Sequence, residues 1–170
     1  MINRPLPLQV ASTSTPVVKP EWLSTLRELV RCYQSFEACS AGHIRTLGLT
    51  PPQFDIIVTL GSTHGMTCKE LSDRTLITKG TLTGVLDRLE RKGMLSRHNA
   101  PDDGRSFIVR LTALGQTTFE QVFPTHLAFI APTFETLSPA ERSAIEQLLA
   151  RLRTRFSEQS ISTGDASEDC

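Results

Sequence analysis

The chain has 170 residues, and its 18 Lys and Arg residues balance its 18 Asp and Glu residues, so the formal net charge is zero. This length fits one domain with extensions, and a hydrophobic share of 39% excludes a wholly disordered or fibrous chain. No apolar run approaches the roughly 20 residues of a membrane helix, so we expect no membrane partner. The N-terminus lacks the apolar stretch of a signal peptide, and four cysteines without a CxxC spacing favour free thiols in a reducing cytoplasm.

The N-terminal part of the chain is predicted to consist of a flexible arm followed by two helices. Residues 1–19 mix Pro, Ser and Thr with few large apolar side chains and are predicted to form that arm. A long helix then begins near Pro20 and runs to about Leu47. Its apolar residues recur at helical spacing: Trp22, Leu26, Leu29, Val30, Tyr33 and Phe36. Thr50 caps a second helix, which has proline at its first position.

Two shorter helices are predicted next. Thr67 and Glu70 have the spacing of a capping box, in which each side chain bonds the backbone of the other residue, and this box begins a short third helix. Thr78 is the predicted N-cap of a fourth helix, and Gly93 supplies its end. The inner face of the fourth helix is an apolar stripe at positions i, i+3, i+4 and i+7: Leu82, Val85, Leu86 and Leu89.

The C-terminal part begins with a change of hydrophobic period. Residues 95–98 and 106–111 are predicted as two strands joined by turn residues. A fifth helix is predicted over residues 112–130, with a kink or break at Pro124. A second capping box then opens a last helix, which runs to the polar and acidic residues 157–170, predicted as a flexible tail.

This order of elements predicts a mainly α fold with a small β-hairpin wing. Residues 49–111 are predicted as a winged helix-turn-helix, which places its second helix in the DNA major groove while the hairpin reaches the backbone or the minor groove. The flanking residues 20–48 and 112–156 carry more apolar surface than this module can bury. Their natural partner is the same surface of a second copy, so they are predicted as a helical dimerisation region.

The outward face of the fourth helix carries small and hydroxyl-bearing residues. Small residues let the start of a helix lie deep in a groove, and hydroxyls and free amides there can bind phosphates or base edges. Arg88 follows on the same helix and suits a phosphate contact. The predicted DNA-binding residues of this helix are Thr78, Lys79, Gly80, Thr81, Thr83, Gly84 and Arg88. The alternative is a solvated helix face whose hydroxyls only cap the helix.

Charge is distributed unevenly along the chain. Residues 69–110 contain nine Lys and Arg against six Asp and Glu, a net charge of +3, and the remainder therefore carries −3. A basic module joined to an acidic remainder is the expected footprint of a DNA-binding unit. The neutral sum therefore does not exclude double-stranded DNA as a partner.

The motif string in this segment resembles the MarR family. It reads Thr81-Leu-Thr-Gly-Val-Leu-Asp-Arg-Leu-Glu-Arg-Lys-Gly-Met-Leu-Ser-Arg97, then Asp103-Gly-Arg105, then Leu111-Thr-Ala-Leu-Gly115. The resemblance covers roughly residues 22–156. It implies a winged-helix homodimer that binds palindromic promoter DNA, usually as a repressor relieved by a ligand or an oxidant. It adds Arg97, Asp103 and Arg105 to the predicted DNA-binding residues.

Two positions depart from the family pattern. Gly84 stands where many members carry Arg, and Gly104 stands where a second wing Arg is common. Arg105 remains as the predicted groove-reaching tip of the wing, with Asp103 placed to orient it. A salt bridge within the hairpin between these two residues is compatible with that role.

The cysteines raise the alternative of a redox-sensing regulator with the same fold. Cys32 and Cys39 are seven residues apart on one helix, a rise of about 10 Å, which is too far for a disulfide between them. Cys68 lies in the first turn of its helix, where amide dipoles lower a thiol pKa. All three are redox candidates, but burial as inert thiols is the favoured interpretation of Cys32 and Cys39, because cysteine is among the residue types most often buried. Cys170 lies in the predicted tail.

A small-molecule effector is the other expected signal. A pocket is predicted between the first, second and fifth helices, lined by Tyr33, Phe36, His43 and Phe54, with packed core as the alternative for each aromatic residue. The four histidines form no HxxxH or HExxH pair, so no metal site is expected.

A winged helix can also serve as a protein-interaction module without DNA binding, and this is the alternative class of function. An enzyme is not expected, because the sequence has no phosphate loop, nucleophile elbow or metal-hydrolase motif. For the same reason we expect no cofactor.

Overall fold

The computed structural model describes residues 19–75, 77–99 and 107–164. Within these residues the elements, in chain order, are α1 (Trp22–Thr46), α2 (Pro51–Gly61), β1 (Met66–Thr67), α3 (Cys68–Arg74), α4 (Lys79–Arg91), β2 (Leu95–Asn99), β3 (Phe107–Leu111), α5 (Ala113–Glu135) and α6 (Pro139–Gly164). The strands form one antiparallel sheet in the order β1-β3-β2. The predicted class, mainly α with a β-hairpin wing, is confirmed.

Packing divides the chain into a part that ends at Ala38 and a part that begins at Cys39. In the first part, the described apolar side chains of α1 are largely exposed, including Trp22 and Phe36. The Tyr33 hydroxyl donates a hydrogen bond to the Glu37 carboxylate one turn later, and this bond raises the pKa of Tyr33.

The hydrophobic core of the second part lies around α2, α3, α4 and β3. Its fully buried side chains are Ile56, Ile57, Leu60, Leu71, Val85, Leu86, Leu89 and Val109. The apolar stripe predicted for the fourth helix is confirmed, because all four of its residues are buried. A buried stripe on α4 leaves the opposite face of this helix free to meet a partner.

Capping residues define where the helices begin, as the sequence predicts. At α3 the Thr67 N–H donates to Glu70 Oε2 at 2.8 Å, and the Glu70 N–H donates to Thr67 Oγ1 at 3.2 Å. At α6 the same exchange joins Ser138 and Glu141 at 2.8 and 3.3 Å. After α4, Gly93 adopts a φ of 70°, in the left-handed region that favours glycine, and ends the helix.

The wing is larger at its base than the sequence predicts. Strands β2 and β3 pair from Leu95 opposite Leu111 to Asn99 opposite Phe107. The additional strand β1 pairs with β3, placing Met66 opposite Val109. Two residues are too short for a hydrophobic period, so sequence reasoning missed this strand.

The C-terminal helices are longer than predicted. Of the kink or break predicted at Pro124, the break is wrong, because α5 continues through Pro124 and Pro132 to Glu135, and the kink stays a prediction. Proline removes one backbone donor, but both prolines are exposed, so water can bond the carbonyls that they leave free. The start of the tail at 157 also differs, since α6 runs to Gly164. Residues 157–159 of this helix are exposed, as suits their polar side chains. Among the described helices, none is long and apolar enough to cross a membrane.

Candidate nucleic-acid interface and histidine cluster

Helix α4 presents a smooth outward face opposite its buried stripe. A Cβ atom built on Gly80 or Gly84 would meet no atom within 4 Å, so neither glycine is needed for packing inside the chain. The hydroxyl oxygens of Thr78 and Thr81 lie 3.1 Å apart at the start of the helix. The residues on this face that the structure shows as exposed are Thr78, Gly80, Thr81, Thr83, Gly84 and Arg88. They are six of the seven residues of this helix that the sequence predicts for DNA binding; the side chain of the seventh, Lys79, lies outside the described part of the structure.

Positive charge lies at the end of α4 and on β3. Arg88, Arg91, Lys92 and Arg110 are all exposed. The Arg91 side chain also donates a hydrogen bond to the Asp87 carbonyl oxygen at 3.3 Å. Exposed guanidinium and ammonium groups near a small-residue helix face suit the phosphates that border a DNA groove.

Arg97 differs from the other cations because it faces two carboxylates. One guanidinium nitrogen lies 2.6 Å from Asp87 Oδ1, and another lies 3.0 Å from Glu90 Oε2. Its side chain is only 25% exposed. These contacts join β2 of the wing to α4. The geometry supports a positioning role for Arg97, and its predicted contact with DNA stays a prediction.

The start of α5 is fixed to the turn that follows α4. The Thr112 hydroxyl donates to the Gly93 carbonyl oxygen at 2.6 Å, and the Thr112 N–H donates to the Met94 carbonyl oxygen at 3.1 Å. The Gly115 N–H donates to the Thr112 hydroxyl at 3.1 Å. A Cβ on Gly115 would overlap the Met94 carbonyl oxygen, so only glycine fits there. Sequence reasoning treated this Thr-x-x-Gly string as a motif and did not predict the contact.

A cluster of histidine and aromatic rings lies where the end of α1, α2 and α5 meet. His43 Nδ1 and His126 Nδ1 are 2.9 Å apart, and His126 Nε2 lies 3.2 Å from the Ser40 hydroxyl. Phe129 stacks on His43 with ring centroids 4.0 Å apart, and Phe54 meets His126 edge to face at 4.8 Å. His126 is buried, and its burial, followed by the charge of His43, lowers its pKa. We call these five residues the histidine cluster.

Comparison with known proteins identifies the family. The model of the MarR family matches residues 49–107. The HTH-type transcriptional repressor YetL of Bacillus subtilis is 34% identical over 112 residues, which are 65% of this chain and 67% of YetL. The chain belongs to the MarR family. It is therefore a MarR-type transcriptional regulator, as its motif string predicts.

Solved structures of MarR-type proteins share the fold of this chain. A structure of Bordetella bronchiseptica BpsR, described as explaining the regulation of its DNA binding by 6-hydroxynicotinic acid, is 29% identical with a TM-score of 0.71. The aligned region covers 80% of this chain and 97% of the BpsR chain. A mutant MarR from E. coli, complexed with operator DNA, is 25% identical with a TM-score of 0.68. The aligned region covers 79% of this chain and 99% of that MarR chain.

Some predicted site residues of this MarR-family chain are not brought together by the structure. Asp103 and Arg105, the predicted tip of the wing, lie outside the described residues. Of the predicted effector pocket, His43 and Phe54 meet in the histidine cluster around His126. Tyr33 and Phe36 belong to the part of the chain before Cys39, where both are exposed. Sequence reasoning missed His126, because no spacing links it to His43 across 83 residues.

The cysteines of this regulator lie on exposed surfaces. Cys32, Cys39 and Cys68 are free and exposed, so the predicted burial of Cys32 and Cys39 is wrong. Sequence reasoning favoured burial because cysteine is among the residue types most often buried. Across residues 19–75, 77–99 and 107–164, no group of three or more His, Cys, Asp or Glu side chains is placed to hold a metal ion.

Proposed function

We propose that this MarR-type regulator is a repressor that binds palindromic promoter DNA as a homodimer in the cytoplasm and is released by a small-molecule effector. The observation that carries the proposal is the outward face of α4, which is exposed and built from small and hydroxyl-bearing residues. Such a face can approach the edges of base pairs in a major groove closely, while the neighbouring arginines contact phosphates.

The homodimer is supported by apolar side chains that the single chain leaves exposed. On α1 they are Trp22, Leu26, Val30, Tyr33 and Phe36, and on α6 they are Ile145, Leu148, Leu149, Leu152 and Phe156. Each of these side chains is at least 38% exposed. Exposed apolar rows of this kind mark protein interfaces, and the same rows of a second copy are their natural partners.

An effector site is supported by the histidine cluster. It combines aromatic rings with a few polar groups, which is the usual composition of small-molecule sites. His126 and Phe129 of the cluster lie on α5, and the residues at the start of this helix are hydrogen-bonded to the turn after α4. A ligand that moves α5 therefore has a bonded route to the proposed DNA-reading helix. The regulation of BpsR by 6-hydroxynicotinic acid agrees with this class of signal.

The experiment is a selection of genomic DNA fragments by the purified full chain, followed by anisotropy titration of the enriched duplex. A shuffled duplex of the same composition and length serves as the control. We expect the enriched duplex to bind about a thousandfold more tightly than the shuffled one, as specific protein–DNA complexes do. Equal affinity for both duplexes, or no binding to either at low salt, contradicts the proposal. A chain that binds neither duplex would favour the alternative of a protein-interaction module.

A redox-sensing regulator is the second candidate, and it is favoured by the exposure of Cys32, Cys39 and Cys68. Solvent access is one requirement for a thiol that reacts with oxidants. The test compares the natural chain with a variant in which all four cysteines are serine. If hydrogen peroxide releases the enriched duplex from the natural chain but not from the variant, oxidation is the signal. Equal behaviour of the two chains rules this candidate out.

A further inference from the structure

The contact between His43 and His126 is a direct hydrogen bond from the end of α1 to the middle of α5. The bond joins the two Nδ1 atoms at 2.9 Å, within the part of the chain that begins at Cys39. Because both partners are ring nitrogens of the same kind, one must carry the hydrogen and the other must offer its lone pair. The bond therefore depends on how many protons the two rings hold together.

The number of protons on the two rings decides whether the hydrogen bond between them can form. With both rings neutral, one Nδ1–H donates to the other Nδ1, and His126 Nε2 and the Ser40 hydroxyl can still donate or accept. With one added proton, the charged ring donates to the neutral ring and the bond is retained. With two added protons, both Nδ1 atoms carry hydrogen, so two N–H groups oppose each other across 2.9 Å between like charges. That state cannot keep the contact.

The surroundings of the pair oppose the second proton. From α2 the ring of Phe54 faces His126, and from α5 the ring of Phe129 stacks on His43, so each imidazole of the pair meets an aromatic ring. The charged residues nearest in sequence on these elements are Arg45 on α1, Asp55 on α2, which has a partner, and Glu120 on α5. Burial and the charge of His43 are the causes that lower the pKa of His126.

We propose that the His43–His126 pair is a proton-sensitive contact that opens when both rings are charged and thereby separates the end of α1 from α5. Opening frees α5, whose first turn is bonded through Thr112 to Gly93 at the end of α4. Acidification is then a signal that reaches the DNA-reading helix without an effector. The opening of the contact does not depend on the proposed function. Only the effect of this opening on DNA binding rests on the proposed function.

The experiment measures amide hydrogen exchange of the full chain at pH 7.5 and pH 5.5, with exchange times matched for the intrinsic effect of pH. We expect peptides that cover residues 39–46 and 122–130 to lose protection by about tenfold at pH 5.5. His43→Asn places an uncharged amide where Nδ1 lies, so only His126 can take an added proton in this variant, and the variant should keep its protection. His64→Gln, which changes an exposed histidine outside the cluster, is the matched control and should behave like the natural chain.

The outcomes separate this inference from the proposed function. Unchanged protection of the natural chain at pH 5.5 overturns the inference, and so does an equal loss in the His43→Asn variant. Imidazole nitrogen NMR of the natural chain gives a second reading, in which the second of the two rings becomes charged over the pH range in which exchange increases. Anisotropy with the enriched duplex then tests the link to DNA. An opening seen by exchange in a chain that binds no DNA leaves the contact established and rejects the proposed function.

Discussion

Arg97 and Asp87 form an ion pair of 2.6 Å that ties the first strand of the wing to helix α4. The pair holds β2 against α4, the proposed DNA-reading helix, so the charge of Arg97 is used in a contact within the chain. A simple count of cations would have assigned this arginine to phosphate contacts. The two roles make opposite predictions for the partner carboxylate.

We predict that Asp87→Asn weakens binding of the enriched duplex although it removes a negative charge near the DNA. A purely electrostatic role of this region predicts tighter binding, because less negative charge would repel the phosphates. The measurement is anisotropy titration at several salt concentrations, with Asp73→Asn on exposed α3 as the matched charge control. Tighter binding by Asp87→Asn would contradict the positioning role of Arg97.

Substitution of two helical glycines should change stability in opposite directions. Gly84→Ala adds a Cβ that meets nothing within 4 Å, so better helix propensity should stabilise the chain by about 0.5–1 kcal/mol. Gly61→Ala drives its Cβ into the Phe119 ring and should destabilise the chain. Urea unfolding of both variants checks this. A gain for Gly61→Ala would show that the close approach of α2 and α5 is wrong.

Arg105 is predicted to reach a DNA groove from the tip of the wing. Arg105→Ala should weaken binding to the enriched and shuffled duplexes by similar factors, because a phosphate contact carries no sequence information. The slope of log affinity against log salt should fall by about one. A titration series from low to physiological salt measures both quantities. An unchanged slope rejects this role for Arg105.

The exposed stripe of α6 is predicted to hold two copies together. Leu149→Glu combined with Leu152→Glu introduces charge into two side chains that are 45% and 39% exposed in the single chain. Burial of those charges in an interface is costly, so sedimentation should show monomers. Gln147→Glu, an exposed polar position on the same helix, serves as the control and should remain dimeric. Dimers of the double variant at micromolar concentration would place the interface elsewhere.

The stability of the chain should depend on His126 as the pH falls below about 6.5, the ordinary pKa of histidine. The folded chain holds the pKa of His126 below its ordinary value of 6.5, so the unfolded chain binds a proton first as pH falls. This stability is therefore present above about pH 6.5 and decreases as the pH falls below that value. Thermal unfolding should show a larger loss from pH 7.5 to pH 5.5 in the natural chain than in His126→Gln. Equal losses would show that His126 is not buried as described.

The fold was predictable where a residue pattern repeats, and the site was predictable only in part. The stripe of α4 repeats over several turns, so its buried and exposed faces follow from the sequence. Strand β1 has two residues and offers no period. The His43–His126 bond joins residues 83 positions apart, and Arg97 reaches carboxylates on another element. Such contacts depend on tertiary packing, which no local pattern in one sequence encodes.

Two copies of this chain are proposed to read DNA through paired α4 helices, and hydroxyl-radical footprinting of the enriched duplex shows where they lie on it. We expect two protected segments related by a dyad and centred about one helical turn apart, roughly 34 Å. Gly84→Glu, which adds a charge to the outward face of α4 at a position where a Cβ meets no atom within 4 Å, should remove both segments together. A single asymmetric protected segment, or protection that Gly84→Glu leaves unchanged, would rule out paired α4 helices as the DNA-reading elements.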